Sequence, residues 1–285
     1  MGGMRLVVTS DIHIDKNGQE TLDALAQFVE KAKADVLVVA GDVATSPTTF
    51  LHTLLTLRAV AAEVVVVAGN HDVWSPPQLV ASGQNAWWRL DTLLPALCAE
   101  AGVHDLDAAP WRHGEVEFVG TLGWYDLSMR DESLPATEQD YRAGEFAGMK
   151  WMDHVYAVFP GVDGTRMSIE AVAGRLSARL RAQLAASTAP RIVGVTHMVA
   201  FPEQLHHKPF PGWRFAQAFI GHRALGEAML ADPRVELAIA GHTHMRSDLQ
   251  LGTLRAVCAP LGYRSEWRGL TPTEAVAASV RVIDL

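Results

Sequence analysis

Cysteine is scarce: Cys98 and Cys258 are the only two in 285 residues, and no Cys-x-x-Cys spacing occurs. That excludes a disulfide framework and a thiolate zinc site, and both thiols read as small core hydrophobes. Long apolar runs are missing as well. No stretch approaches the roughly 18 uninterrupted apolar residues of a membrane span, so no membrane partner is expected. Positive charge is in deficit, with 24 Lys and Arg against 32 Asp and Glu for a formal net charge of -8. Phosphate backbones are bound through clustered Lys and Arg, so nucleic acid is not an expected partner. No internal repeat, heptad or low-complexity linker interrupts the chain. The N-terminal MGGMRLVVTSD enters a strand pattern almost at once, which leaves no room for a leader, and a cytoplasmic location is expected.

What is present is a set of apolar runs ending in small residues, each followed at once by a polar cluster. Asp11-Ile12-His13 follows MRLVVTS, Gly41-Asp42 follows DVLVVA, and Gly69-Asn70-His71-Asp72 follows EVVVVA. His197 follows RIVGVT, and Gly241-His242-Thr243-His244 follows VELAIA. Runs this short and this rich in Val, Ile and Leu read as strands buried on both faces.

Between the runs lie helical patterns. Residues 20 to 33 carry Leu22, Leu25, Ala26, Phe28, Val29 and Ala32 as a stripe at 3.6 spacing. Residues 47 to 61 carry a second, with Ser46 as cap and Pro47 at the first helical position. The β-α-β-α-β order predicts an α/β fold with a parallel sheet and right-handed crossovers. Further helices are expected near 84 to 101, 168 to 186 and 217 to 231, with strands near 103 to 107 and 115 to 121. Short tail strands near 247 to 251, 254 to 258 and 278 to 284 are expected to be antiparallel. Residues 123 to 165 and 201 to 216 are aromatic and aperiodic, and read as substrate-facing insertions in one domain spanning 1 to 285.

In an open α/β sheet, ligands collect beyond the carboxyl ends of the strands. One edge therefore gathers Asp11, His13, Asp42, Asn70, His71, His197, His242 and His244. Imidazole, carboxylate and amide donors without thiolate suit Mn, Fe, Zn or Ni rather than Ca. Seven ligands exceed one four-coordinate ion, and suit two ions about 3.5 to 4 Å apart that share a carboxylate. Gly41, Gly69 and Gly241 stand where the chain must turn sharply and approach the site closely. A lone Gly-Asp or a single His after a strand carries no such meaning; the ordered set does.

The five blocks Asp-x-His, Gly-Asp, Gly-Asn-His-Asp, His and Gly-His-x-His, running from Asp11 to His244, resemble the calcineurin-like metallophosphoesterase superfamily. The resemblance implies two packed sheets flanked by helices, and two divalent transition metals with Mn or Fe favoured. It also implies that Asp11, His13, Asp42 and His244 bind one metal, and Asp42, Asn70, His197 and His242 the other, with Asp42 bridging. A hydroxide held between such ions is placed for in-line attack on phosphorus. His71, beside Asn70 but not a family ligand, is expected to protonate the leaving group, with Asp72 orienting it.

Two departures narrow the resemblance. After Asp42 the chain continues Val43-Ala44-Thr45-Ser46, without the Asp and Arg of the protein Ser/Thr phosphatase branch, so that branch is not expected. Val199 stands where many members have Pro. Tyr125 and Asp126, after the strand near 115 to 121, and His206 and His207 in the second loop are candidate substrate contacts. The expected substrate is a small phosphomonoester or phosphodiester, nucleotides included. The alternatives are a nuclease, disfavoured by the acidic balance, and a metal-binding scaffold without turnover.

Overall fold

The computed structural model describes residues 3–285. Each Val-rich run forms the strand its composition predicts. The first layer takes β1 (Arg5–Thr9), β2 (Val36–Ala40), β3 (Glu63–Val67) and the two-residue β4 (His104–Asp105). The chain then crosses to a second layer through β5 (Trp111–His113) and β6 (Val116–Thr121). A small hairpin of β7 (Glu145–Phe146) and β8 (Met149–Lys150) precedes β9 (Arg191–Thr196), β10 (Val235–Ala240), β11 (Ser247–Leu251) and β12 (Leu254–Cys258). The last strand, β13 (Arg281–Asp284), returns to the edge of the first layer.

The sheet orders are β13-β1-β2-β3-β4 and β11-β12-β10-β9-β6-β5. Each sheet has a parallel centre, β1 to β4 in one and β6, β9, β10 and β12 in the other. Antiparallel strands close the edges: β13 on β1, β11 on β12 and β5 on β6. Alternation along each strand sorts side chains to opposite faces. Leu6, Val8, Val36, Val38, Val65 and Val67 meet Phe118, Val193, Val195, Leu237 and Ile239 between the layers. Val7, Leu37, Val39, Val64 and Val66 face outward onto helices Gln19–Ala32 and Pro47–Val60 through Leu22, Leu25, Val29, Leu54 and Leu57. Two packed mixed sheets flanked by helices result.

Four local expectations are corrected. The tail strands are antiparallel as expected where β11 meets β12 and β13 meets β1, but β12 is also parallel to its other neighbour β10, because it extends the parallel centre of the second sheet. The strand expected at 278 to 284 starts three residues late: Thr271 and Glu274 form a capping box that starts helix Pro272–Ser279, and Arg281–Asp284 pairs. The helix near 84 to 101 is interrupted by a π-helical stretch, Arg89–Leu93. The region 123 to 165 is not wholly irregular; it holds helix Glu138–Ala143, the β7–β8 hairpin and helix Asp153–Tyr156. Cys98 and Cys258 are buried and unpaired, as expected. No helix among the described residues is long and apolar enough to cross a membrane.

Candidate metal centre

All five polar blocks leave the carboxyl ends of parallel strands. Asp11 and His13 follow β1, Asp42 follows β2, Asn70 follows β3, His197 follows β9, and His242 and His244 follow β10. Two donor groups result: Asp11, His13 and His244 in one, and Asp42, His197 and His242 in the other. Within each, one ligand atom per residue lies within 4.8 Å of the others. Asp42 stands between the groups, with Oδ2 3.5 Å from Nε2 of His13 and 3.5 Å from Nε2 of His197. Asn70 joins the second group through Oδ1, 3.0 Å from Nε2 of His197.

The backbone is strained where these groups meet. Nine described non-glycine residues have positive φ, and five are Asp11, His13, Asp42, His242 and His244. Side chains other than glycine avoid this region unless the surroundings impose it, and such strain clusters at functional sites. Gly41 and Gly69 make the approach possible. A Cβ on Gly41 would lie 2.4 Å from His197 Nδ1, and one on Gly69 would lie 2.0 Å from Asp42 Oδ1.

Hydrogen bonds on the far nitrogens set the tautomers. His197 Nδ1 donates to the carbonyl of Ala40 at 2.8 Å, and His242 Nε2 donates to the carbonyl of Phe219 at 3.0 Å. His244 Nδ1 donates to Glu266 at 2.7 Å. The opposite nitrogens therefore point lone pairs inward, toward buried carboxylates. His244 Nε2 is 3.4 Å from Asp11 Oδ1 and 3.2 Å from His13 Nε2. Among the described residues neither Asp11 nor Asp42 pairs with Lys or Arg, although both are buried. Buried carboxylates and inward lone pairs without a fixed cation fit bound divalent ions.

Electrostatics show the same demand for positive charge in another form: a ring facing these carboxylates is drawn to its protonated state, and a bound cation would displace that proton. Burial opposes a charge on Asp11, but its hydrogen bond to His244 and the imidazole's charge outweigh it and hold the carboxyl at about 2. Burial also opposes a charge on His197 and His244. For His197, attraction to Asp42 prevails and lifts the ring to about 9; for His244, Asp11 and Glu266 lift it to about 10. His13 falls to about 4 through burial, as does His242 through burial and the charge of His197.

Asp72 departs from its expected role. Its Oδ2 accepts the backbone N–H of Gly69 at 2.7 Å and of Asp42 at 2.9 Å, and its Oδ1 accepts that of Ala44 at 3.0 Å. Both oxygens are thus committed to loop backbone, and the His71 imidazole is not among their partners. Burial and the charge of Asp42 push this carboxyl up to about 8. His71 is placed instead by its neighbours. Its backbone N–H donates to Asp42 Oδ1 at 2.9 Å, and its ring stacks on Trp74 with centroids 3.8 Å apart.

His71 opens onto a cavity of about 340 Å³ lined by Asp42, Asn70, Trp74, Trp151, Asp153, Trp213 and Tyr263. None of the four candidate substrate residues lines it. Tyr125 is buried against Trp124 and Phe219, beside a smaller cavity of about 230 Å³. Asp126 pairs with His222 at 3.0 Å and caps Ser128. His206 offers its carbonyl to Trp213, and His207 meets Gln217. The loop contributes Trp213 instead. Trp74, Asp153, Tyr263 and Glu266 reach the site without belonging to any block. Tyr263 had a signal: it follows Gly262 just beyond β12, a sixth strand end built like the others.

Residues 4–246 match the family described as Calcineurin-like phosphoesterase. The chain belongs to the calcineurin-like phosphoesterase family, and it is a hydrolase of phosphoester bonds. Its fold is also that of the phosphopantetheinyl hydrolase from Mycobacterium tuberculosis, with a TM-score of 0.74 at 21% identity over 99% of this chain and 96% of that one. A dimetal phosphatase from Danio rerio gives a TM-score of 0.47 at 17% identity, covering 90% of this chain and 87% of that one. No curated protein matches the chain.

Proposed function

We propose that this chain is a dinuclear metal-dependent phosphoesterase. Asp11, His13 and His244 would hold one cation, and Asn70, His197 and His242 the other, with Asp42 shared between them. The observation that carries this reading is the position of Asp42 Oδ2, equidistant from a histidine of each donor group. A pair of Mn or Fe ions supplies Lewis acidity toward a water and toward the phosphoryl oxygens.

The chain's own residues supply the rest. The rings of Trp74, Trp151, Trp213 and Tyr263 wall the cavity, exclude water and offer faces to an apolar leaving group. His71 holds a ring nitrogen at that cavity, placed by Trp74 and by Asp42, and delivers a proton to the departing oxygen. The substrate is a phosphomonoester or phosphodiester of small or medium size, nucleotides included. Cytoplasmic placement belongs to the same proposal.

Purified protein should contain close to two transition metals per chain and, with Mn added, should hydrolyse nitrophenyl phosphate esters. Asp42→Asn should abolish turnover; an active Asp42→Asn protein would remove the shared-ligand assignment. Metal binding without turnover on any ester would leave a scaffold, and tight salt-sensitive DNA binding would point to a nuclease. A panel of monoesters, diesters, cyclic nucleotides, pyrophosphates and a phosphopantetheinyl diester, the last prompted by the M. tuberculosis hydrolase's name, identifies the substrate.

A further inference from the structure

Asp153 begins the short helix Asp153–Tyr156 inside the 123 to 165 insertion, and only 2% of it is exposed. Its Oδ1 accepts the Asn70 Nδ2 amide at 2.8 Å and the Trp74 indole N–H at 2.6 Å. Its Oδ2 accepts the Trp151 indole N–H at 2.9 Å. Among the described residues no Lys or Arg pairs with it, so this buried carboxylate is held by three neutral N–H donors and by whatever positive charge the centre contains.

A terminal amide can present either its oxygen or its nitrogen to a neighbour, and rotation exchanges them. An ionised carboxylate only accepts. Asn70 must therefore turn Nδ2 toward Asp153, and Oδ1 then faces His197 Nε2, 3.0 Å away among the donors of the second group. The same carboxylate holds the Trp74 indole, and Trp74 is the ring on which His71 stacks. Asn70 and His71 are consecutive in sequence and are served, the second through Trp74, by the single oxygen Oδ1 of one side chain.

We propose that Asp153 is a positioning residue for the metal centre: it locks the Asn70 amide oxygen toward the second donor group and, through Trp74, fixes the ring platform of His71. This inference rests on the dinuclear reading above. It gives the insertion a task besides covering substrate, since it carries the lock for one end of the metal site.

Calorimetric titration of the metal-free full chain with Mn tests it. The wild type should show two sites; if it does not, the dinuclear reading fails before the lock is tested. Asp153→Asn, which can present an N–H to Asn70 and release the amide, should weaken one site by about 10- to 100-fold, the scale of lost outer-shell partners, and spare the other. Trp74→Phe also removes one hydrogen bond from Asp153 but leaves the Asn70 contact, and should keep both sites. Equal Mn affinities in Asp153→Asn and wild type would overturn the proposal, as would a Trp74→Phe protein weakened to the same degree. Should Asp153→Asn fail to fold, the zinc-loaded wild type supplies a second measurement. The Asn70 side-chain amide protons should exchange slowly with deuterium, and fast exchange would equally overturn the lock.

Discussion

The hydroxyl of Tyr263 lies 3.4 Å from Nε2 of His71. Tyr263 also stacks on His13 with centroids 4.5 Å apart, so one phenol touches both a candidate ligand and the proposed acid. Burial raises the phenol above its ordinary value, which keeps it protonated and able to pair with the imidazole at neutral pH. His71→Ala should keep both metals and lose turnover by roughly 10²-fold or more, the scale of one general acid. Tyr263→Phe should keep the metals and lose less. Steady-state kinetics beside metal analysis decides: a His71→Ala protein that arrives without metal would make His71 a ligand.

Asp72 ties the second and third blocks together through three backbone N–H groups. Asn at this position turns an amide N–H₂ against at least one of those donors, leaving a buried N–H unpaired at a cost of about 1 to 3 kcal/mol. Asp72→Asn should therefore lower Tm by several degrees and weaken metal binding by displacing Asp42. A variant with wild-type Tm and metal content but turnover as poor as His71→Ala would restore Asp72 to the role of orienting His71.

Asp105 yields a pH prediction. Burial, aided by the charge of Asp107, raises its folded-state carboxyl to about 8, against about 3.9 in an unfolded chain. The folded state then holds a proton that the unfolded chain releases between those values. The associated stability is fully present below about pH 4 and is lost as pH rises through about 8. Asp105→Asn keeps an acceptor for the N–H of Asp107 and removes the titration. Its Tm should gain on the wild type from pH 5 to about pH 8 and level off beyond; parallel curves from pH 5 to pH 9 would show that Asp105 is ionised throughout.

The strands and the five blocks were legible because their signals are local. A Val-rich run ending in Ala, Thr or Ser and followed at once by Asp or His, or by Gly and then a polar residue, announces both a buried strand and a functional end. Gly41 and Gly69 could be read because each stands directly before a polar block, although the crowding they relieve is with His197 and Asp42 of other blocks. Asp153, Trp74 and Glu266 could not. Asp153 reaches Asn70 across 83 positions, and Glu266 meets His244 only because the chain after β12 folds back over the site. The substrate candidates lie off the cavity beside His71 for a related reason. Proximity in sequence to a functional strand end placed Tyr125 and Asp126 near the edge, but their side chains turn into packing and into the pair with His222.

Each donor group draws on both layers: Asp11 and His13 from the first sheet with His244 from the second, and Asp42 from the first with His197 and His242 from the second. An ion in either place would therefore fasten the two layers of a chain that has no disulfide to do so. Ligands that bind only the folded state raise its stability with their concentration. Metal supply would then govern how long this protein survives heat or proteolysis, quite apart from whether it turns over, and chelation would lower the temperature at which the two layers part while leaving the chain folded below it.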